Sequence, residues 1–128
     1  DNYISIGALN YKNGKEMVAT FSNYGASNVD LFSPGVKIWS TTPLDTYKYL
    51  QGTSMASPNV AGVAAMIRSY YPKLSAKQVK QVLMDSGLHT STPVIVGGEE
   101  TNVQPFNAIS KSGKTANLYN ALIMASKM

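Results

Sequence analysis

The chain has no cysteine, one histidine, one tryptophan and few charges, with only 14% of its 128 residues being Asp, Glu, Lys or Arg. Without cysteine there is neither a disulfide framework nor a thiolate metal site, and the redox compartment is not written in the sequence. No apolar run approaches the roughly 20 residues needed to cross a bilayer, so no membrane span is expected. With 44% apolar residues, disorder driven by charge and low hydrophobicity is excluded, and the chain should pack a core. The net charge of +4 comes from 11 basic against 7 acidic residues, and the lysines are spread from Lys12 to Lys127 without forming a block. A lysine-dotted solvated surface is expected, and no nucleic-acid partner. The eight tyrosines are equally scattered.

The chain opens at Asp1 and Asn2 and runs straight into apolar alternation, Ile4, Ile6 and Ala8 against Tyr3, Ser5 and Gly7, with no basic leader before it. That alternation predicts a strand, and a start inside a strand reads as a cut from something longer. An Asn13-Gly14 turn then predicts a partner strand over Met17–Phe21. A polar loop follows, then a turn at Pro34-Gly35 and a short strand from Val36 to Ser40.

From Ser54 the composition changes. Ala56, Ala61, Gly62, Ala64 and Ala65 interleave with Val60, Val63, Met66 and Ile67, which predicts a helix apolar nearly all round and therefore buried. Pro58 is tolerated near its start and Pro72 marks its end. A second helix is predicted with Ser75 as N-cap, Gln78 as capping-box partner, Val79, Val82 and Leu83 inward, and Gly87 as its stop. A short strand, a Gly-rich loop, a weak strand and a closing helix over "ANLYNALIMASK" complete the chain, with no internal repeat.

The stretch with chemical content is "GTSMASPNVAGVAAMI", Gly52 to Ile67. A serine hydroxyl is a weak nucleophile that needs a base for its proton and donors for the oxyanion formed after attack. A serine in the first turn of a helix meets the second need, because the unpaired N–H groups and the positive end of the helix dipole face the developing charge. Read alone, Ser54 could equally be an N-cap. The full sixteen-residue string tips the balance: it resembles the serine signature of the subtilisin-like proteases, or subtilases, G-T-S-M-A-x-P-h-V-A-G. Flanking segments resemble the same family in the same order: "ISIGAL", "ATFSNYG", "VDLFSPGVKIWST", "PKLSAKQVKQVL" and "GKTANLYNAL".

The resemblance implies an α/β fold, a mostly parallel sheet with helices on both faces, of which residues 1–128 would be the C-terminal, nucleophile-bearing part of one incomplete domain. It implies serine endopeptidase chemistry through an acyl-enzyme on Ser54 in a longer parent acting on polypeptides, outside the cytoplasm or in the cell envelope. Thr53, Met55, Leu50 and Phe21 are the substrate-binding residues the resemblance implies, of which Met55, Leu50 and Phe21 match positions lining the leaving-group side of the cleft, with plain core packing as the alternative. The family order is Asp, His, Ser, whereas the one histidine, His89, follows Ser54 and reads as a surface residue. With base, orienting Asp and oxyanion Asn lying upstream of anything resembled here, this chain alone is expected to be inactive. The rival is a catalytically dead subtilase-fold binding module. No cofactor is expected. Asp30 falls where some relatives place a structural calcium ligand, but one carboxylate makes no calcium site, so a turn-capping role is expected and calcium is left to the full-length parent. Asn59 stands where many members carry a non-catalytic His. "AISKSGKT", Ala108 to Thr115, fits a permissive phosphate-loop pattern but has too little chain after it, and is read as a turn into the last helix. A fragment with unpartnered strands and a bared helix would be marginal or self-associating.

Overall fold

A computed structural model describes residues 2–128, leaving Asp1 outside the described residues. Its centre is a four-stranded sheet ordered β1 (Ile6–Leu9), β2 (Leu31–Pro34), β8 (Lys114–Thr115) and β5 (Leu88–His89). β1–β2 and β2–β8 are parallel, and only β5 runs antiparallel to its neighbour. Side chains alternate across a strand, so adjacent residues of β2 feed opposite cores. Leu31 joins Val60, Ile67, Val79, Val82, Leu83, Ala121 and Ala125 under α1 (Thr53–Tyr70), α2 (Ala76–Asp85) and α4 (Leu118–Ser126). Phe32 joins Val18, Val29, Val94, Val96, Phe106 and Ile109 on the other face, beneath α3 (Phe106–Ile109) and the hairpin of β6 (Val94–Ile95) and β7 (Val103–Gln104). The expected α/β class with a mostly parallel sheet and helices on both faces is what the chain adopts.

The strand expected over Met17–Phe21 does not form. A 3-10 turn at Gly14–Glu16 takes the place of a hairpin, leaving an isolated antiparallel bridge between Leu9 and Val18. β1 pairs instead with β2, whose buried run Leu31–Ser33 has no polar alternation because both its faces are covered. The strand expected over Val36–Ser40 is displaced to β3 (Ile38–Thr42) and pairs with β4 (Thr46–Leu50) in an antiparallel hairpin. Trp39 lies directly opposite Tyr49, with ring centroids 4.8 Å apart, and stacks diagonally on Tyr47. Such cross-strand aromatic pairs hold together a two-stranded ribbon that would otherwise be weak.

In α2 the capping box forms as the sequence implies: Ser75 Oγ accepts the Gln78 N–H at 3.2 Å and Gln78 Oε1 accepts the Ser75 N–H at 2.8 Å. Gly87 is not a left-handed stop. The helix ends on right-handed Ser86, and a Cβ at Gly87 would lie 2.6 Å from the Thr115 carbonyl oxygen, so the glycine is there for close approach to β8. Helix α4 starts from Asn117, whose side chain accepts the Asn120 N–H at 2.8 Å.

The expectation that α1 is buried all round is overturned. Only Ala56, Val60 and Ile67 are buried, while Ala61, Gly62, Ala65 and Met66 are exposed. The composition marks a helix suited to burial on both sides, but the described chain supplies neighbours on one side alone.

Candidate active site

The site is built where β4 turns into α1. The helix begins at Thr53 with Gly52 as N-cap, so Ser54 is the second helical residue and its side chain caps nothing. The capping explanation for this serine is thereby removed. Ser54 is exposed, and its hydroxyl makes no hydrogen bond within the described residues. Its N–H belongs to the first turn, where backbone donors have no intrahelical acceptor.

Gly52 is indispensable to this turn. Its φ of 143° and ψ of 162° lie in a region L side chains rarely enter. Its N–H donates to the Gly35 carbonyl at 2.8 Å, and its own carbonyl accepts from Met55 at 2.9 Å and Ala56 at 3.3 Å. Gly35 in turn donates to the Leu9 carbonyl at 3.0 Å. The nucleophile's turn is therefore tied through Gly35 to the end of β1. A second tie comes from Asn59, whose Nδ2 donates to the Pro34 carbonyl at 2.9 Å. One turn of helix beyond Ser54, it fastens α1 to the end of β2, a positioning role that no sequence pattern signalled. Pro58 is the sixth residue of α1, and its missing N–H leaves the Ser54 carbonyl without its usual partner.

Ser54 opens onto a shallow depression of about 640 Å³ lined by Ile4, Ser5, Ile6, Thr53, Ser54, Ser57 and Pro58. A neighbouring depression of about 400 Å³ shares Ser5, Ile6 and Thr53 and extends to Ser22, Asn23, Tyr24, Asn28 and Val29. Together they border Ile4, Ser5 and Ile6, the segment that leads into and opens β1. Ser22, buried at its rim, accepts the Ala8 N–H at 2.9 Å and donates to the Asn23 carbonyl at 2.9 Å.

Of the residues expected to line a cleft, Thr53 borders both depressions, whereas Met55 and Leu50 are half-buried and Phe21 is largely exposed, all three outside them. Leu50 ends β4 opposite Ile38. His89 sits in β5, at the far edge of the sheet from β1, paired with Lys114. It is not beside Ser54. Asp30 does not cap a turn with its side chain: its carboxylate accepts the Ser5 N–H at 3.0 Å and pairs with Lys80 at 3.3 Å, both charged side chains almost wholly buried. That pair clamps the residue before β2 to the segment entering β1 and to α2. No group of three or more metal-binding side chains occurs among the described residues.

The phosphate-loop resemblance of Ala108 to Thr115 fails on backbone geometry. The N–H of Lys111 donates to the Val29 carbonyl, that of Ser112 to the Asp30 carbonyl, that of Gly113 to Ser110 Oγ and that of Lys114 to Ser112 Oγ. With these donors spent internally, no nest remains to cradle a phosphate.

Comparison with known proteins agrees with this geometry. The family model described as the subtilase family matches residues 1–117. Subtilisin DY from Bacillus licheniformis is 41% identical over 104 residues, covering 81% of this chain and 36% of that protein. M-protease from Shouchella clausii is 37% identical over 103 residues, covering 80% of this chain and 26% of that protein. The chain thus spans about a third or less of the length of these relatives. Among solved structures, the A-subunit of the AB5 toxin from E. coli superposes over 95% of this chain and 37% of its own length, with a TM-score of 0.76 at 23% identity. A protease from Pseudoalteromonas arctica superposes over 98% and 36%, with a TM-score of 0.73 at 24% identity. At that identity the two superpositions establish the fold alone.

Proposed function

The chain belongs to the subtilase family, and we propose that it is the nucleophile-bearing part of a serine endopeptidase in which Ser54 Oγ attacks the peptide carbonyl. The observation that carries this reading is an exposed, unbonded serine hydroxyl at the second position of a helix, with its own N–H making no backbone hydrogen bond, opening onto a depression bordered by the segment that enters β1. Attack forms a C–O bond to Ser54 and passes its proton to a base. The tetrahedral oxyanion is held by the Ser54 N–H and a further donor, and the amine departs with a proton to leave an acyl-enzyme that water hydrolyses.

No histidine or carboxylate lines the depression at Ser54 among the described residues. His89 is on the wrong side of the sheet, so the base belongs to polypeptide upstream, and residues 1–128 alone are inactive. The bared small-residue face of α1, Ala61, Gly62 and Ala65, and the open edge of β1, covered by residues 17–19 only near its Ala8 end, are the surfaces that this polypeptide would complete. Substrates on this reading are polypeptides, and the site of action lies outside the cytoplasm or in the cell envelope. No helix among the described residues is long and apolar enough to cross a membrane.

The test is peptide hydrolysis by the full-length protein and by residues 1–128 alone. The full-length protein should turn over peptide esters and amides, lose that activity by several orders of magnitude on Ser54→Ala, and leave residues 1–128 with none. Full-length protein that folds but hydrolyses nothing would transfer the assignment to a non-catalytic binding module.

A further inference from the structure

The hairpin of β3 and β4 turns one face to solvent, and that face is aromatic. Trp39 pairs with Tyr49 and Thr41 with Tyr47 across the two strands, so these four side chains share a side. Ile38 and Leu50, a pair on the opposite side, are half-buried, whereas Trp39, Tyr47 and Tyr49 are 60%, 59% and 66% exposed. Contact among the rings accounts for the integrity of the ribbon, yet it leaves most of each ring in water. It also leaves the polar end of each ring unused: the Trp39 indole N–H and the Tyr47 and Tyr49 hydroxyls have no hydrogen-bond partner among the described residues. No charge stands on this side. Lys48 pairs with Ser40 on the opposite side, and the Lys37 ammonium lies over the Tyr11 ring, 4.0 Å from its centroid. Clustered, exposed Trp and Tyr with free donors are the kind of residue that carries binding energy at protein interfaces.

We infer that this face docks a proline-rich segment of polypeptide in the polyproline II conformation. Complementarity selects the occupant. The rings offer flat apolar surface and three unpaired donors, with no carboxylate, carboxamide or cation among Trp39, Thr41, Tyr47 and Tyr49. A polyproline II segment presents the converse: apolar pyrrolidine rings, carbonyl acceptors that no internal hydrogen bond occupies, and no N–H at each proline. Aromatic-lined surfaces are a recurring means of holding such segments, which are already extended and lose little entropy on docking. The strands give room for it, since five residues at about 3.3 Å each make a face of about 17 Å, the length of five or six residues at a rise of about 3.1 Å. A single-stranded nucleic acid would need cations beside the rings for its phosphates, and an oligosaccharide would need carboxylates or amides for its hydroxyls; the paired residues of this face supply neither. β4 runs on through Gly52 into α1, so a chain held here lies next to the Ser54 turn. Docking on this face does not depend on Ser54 being the nucleophile.

The test uses the full-length protein carrying Ser54→Ala, so that no probe is cut, and a labelled peptide of about ten prolines read by fluorescence anisotropy. The peptide should bind, and a glycine-serine peptide of equal length should bind at least about tenfold more weakly because it arrives as a flexible coil. Trp39→Ala should weaken binding about tenfold or more. Tyr47→Phe with Tyr49→Phe keeps the rings, should leave the urea midpoint unchanged, and should still weaken binding about fivefold through the two lost donors. Tyr119→Ala, which removes an exposed ring on α4, should stay within about twofold of the parent. With no charge on the face, raising salt from about 50 to about 200 mM should change the affinity by less than about twofold, unlike binding to phosphates. Absence of binding, equal binding of the two peptides, a double Phe variant that binds as the parent does, or tighter binding of a single-stranded oligonucleotide or of a linear glucose oligosaccharide would each overturn the inference, as would a dimer of the protein that Trp39→Ala dissociates.

Discussion

Gly35→Ala is the substitution that most sharply links packing to chemistry in this chain. A Cβ at this position would lie 2.7 Å from the Ala8 Cβ, 2.8 Å from the Gly52 carbonyl oxygen and 3.3 Å from the Ala56 Cβ. None of these is the movable tip of a long side chain. Ala8 and Ala56 are fully buried methyl groups of a tight cluster with Ala19, and the third atom is backbone. Relief to ordinary contact needs separations of roughly 0.6 to 1 Å, and overpacking of this kind costs about 1–3 kcal/mol. The part free to move is the Gly35–Gly52 connection, since Ala8 is held within β1. Because the Gly52 carbonyl anchors the Met55 and Ala56 N–H groups, its displacement carries Ser54 with it. A nucleophile misplaced by about 1 Å can lose about 10²-fold in rate. The assay is acylation of the full-length protein by an activated peptide ester, read beside its urea midpoint. We predict a stability loss of about 1–3 kcal/mol together with a 10- to 100-fold fall in acylation rate, under conditions where the variant remains folded. A variant that loses stability but acylates at the parental rate would refute the claim that Gly35 sets the position of the nucleophile's turn.

Further outcomes follow from the same contacts. Ser75→Ala removes one half of the α2 capping box and should cost about 1 kcal/mol, measured as a shift in denaturation midpoint with unchanged m-value. Lys80→Met leaves the Asp30 carboxylate almost wholly buried without its cation and should cost about 3 kcal/mol, with Asp30→Asn in the same chain recovering much of the loss. Gly62→Ala should stabilise residues 1–128 alone by about 0.5–1 kcal/mol, because the glycine is helical, exposed and clear of neighbours. In the full-length protein the same methyl should be neutral or destabilising if further polypeptide covers α1. A stabilisation of equal size in both would contradict the fragment reading.

The sequence made some of this visible and hid the rest, for reasons that differ by element. The α2 cap was legible because Ser75 and Gln78 act on their own backbone, and α4 was legible because its apolar run is local. β2 carries no strand pattern because Leu31–Ser33, buried on both faces, lacks alternation and runs into a Pro-Gly pair that reads as a turn. β4 is concealed in the sequence because the turn before it places Leu44 and Asp45 at φ of 64° and 55° without the glycine that usually announces such a turn. The candidate nucleophile is legible in its motif, whereas its support is not: Gly35 and Asn59 act through partners in β1, β2 and the Gly52 turn that only the fold brings near. The role of Asp30 is hidden from the sequence because its pairing with Lys80 spans 50 residues of chain, beyond the reach of any local pattern. The burial of α1 is hidden for a related reason, since an apolar composition records what a helix face can pack against and not whether this chain supplies it.

The measurement that bears most directly on Ser54 is covalent labelling by a peptidyl phosphonate, which reacts with an activated serine hydroxyl and leaves a mass tag on it. The full-length protein should carry one tag, located by peptide mapping to the segment holding Ser54 and abolished by Ser54→Ala, while residues 1–128 alone stay unlabelled. A tag on any other residue, or folded full-length protein that takes none, would contradict Ser54 as the nucleophile.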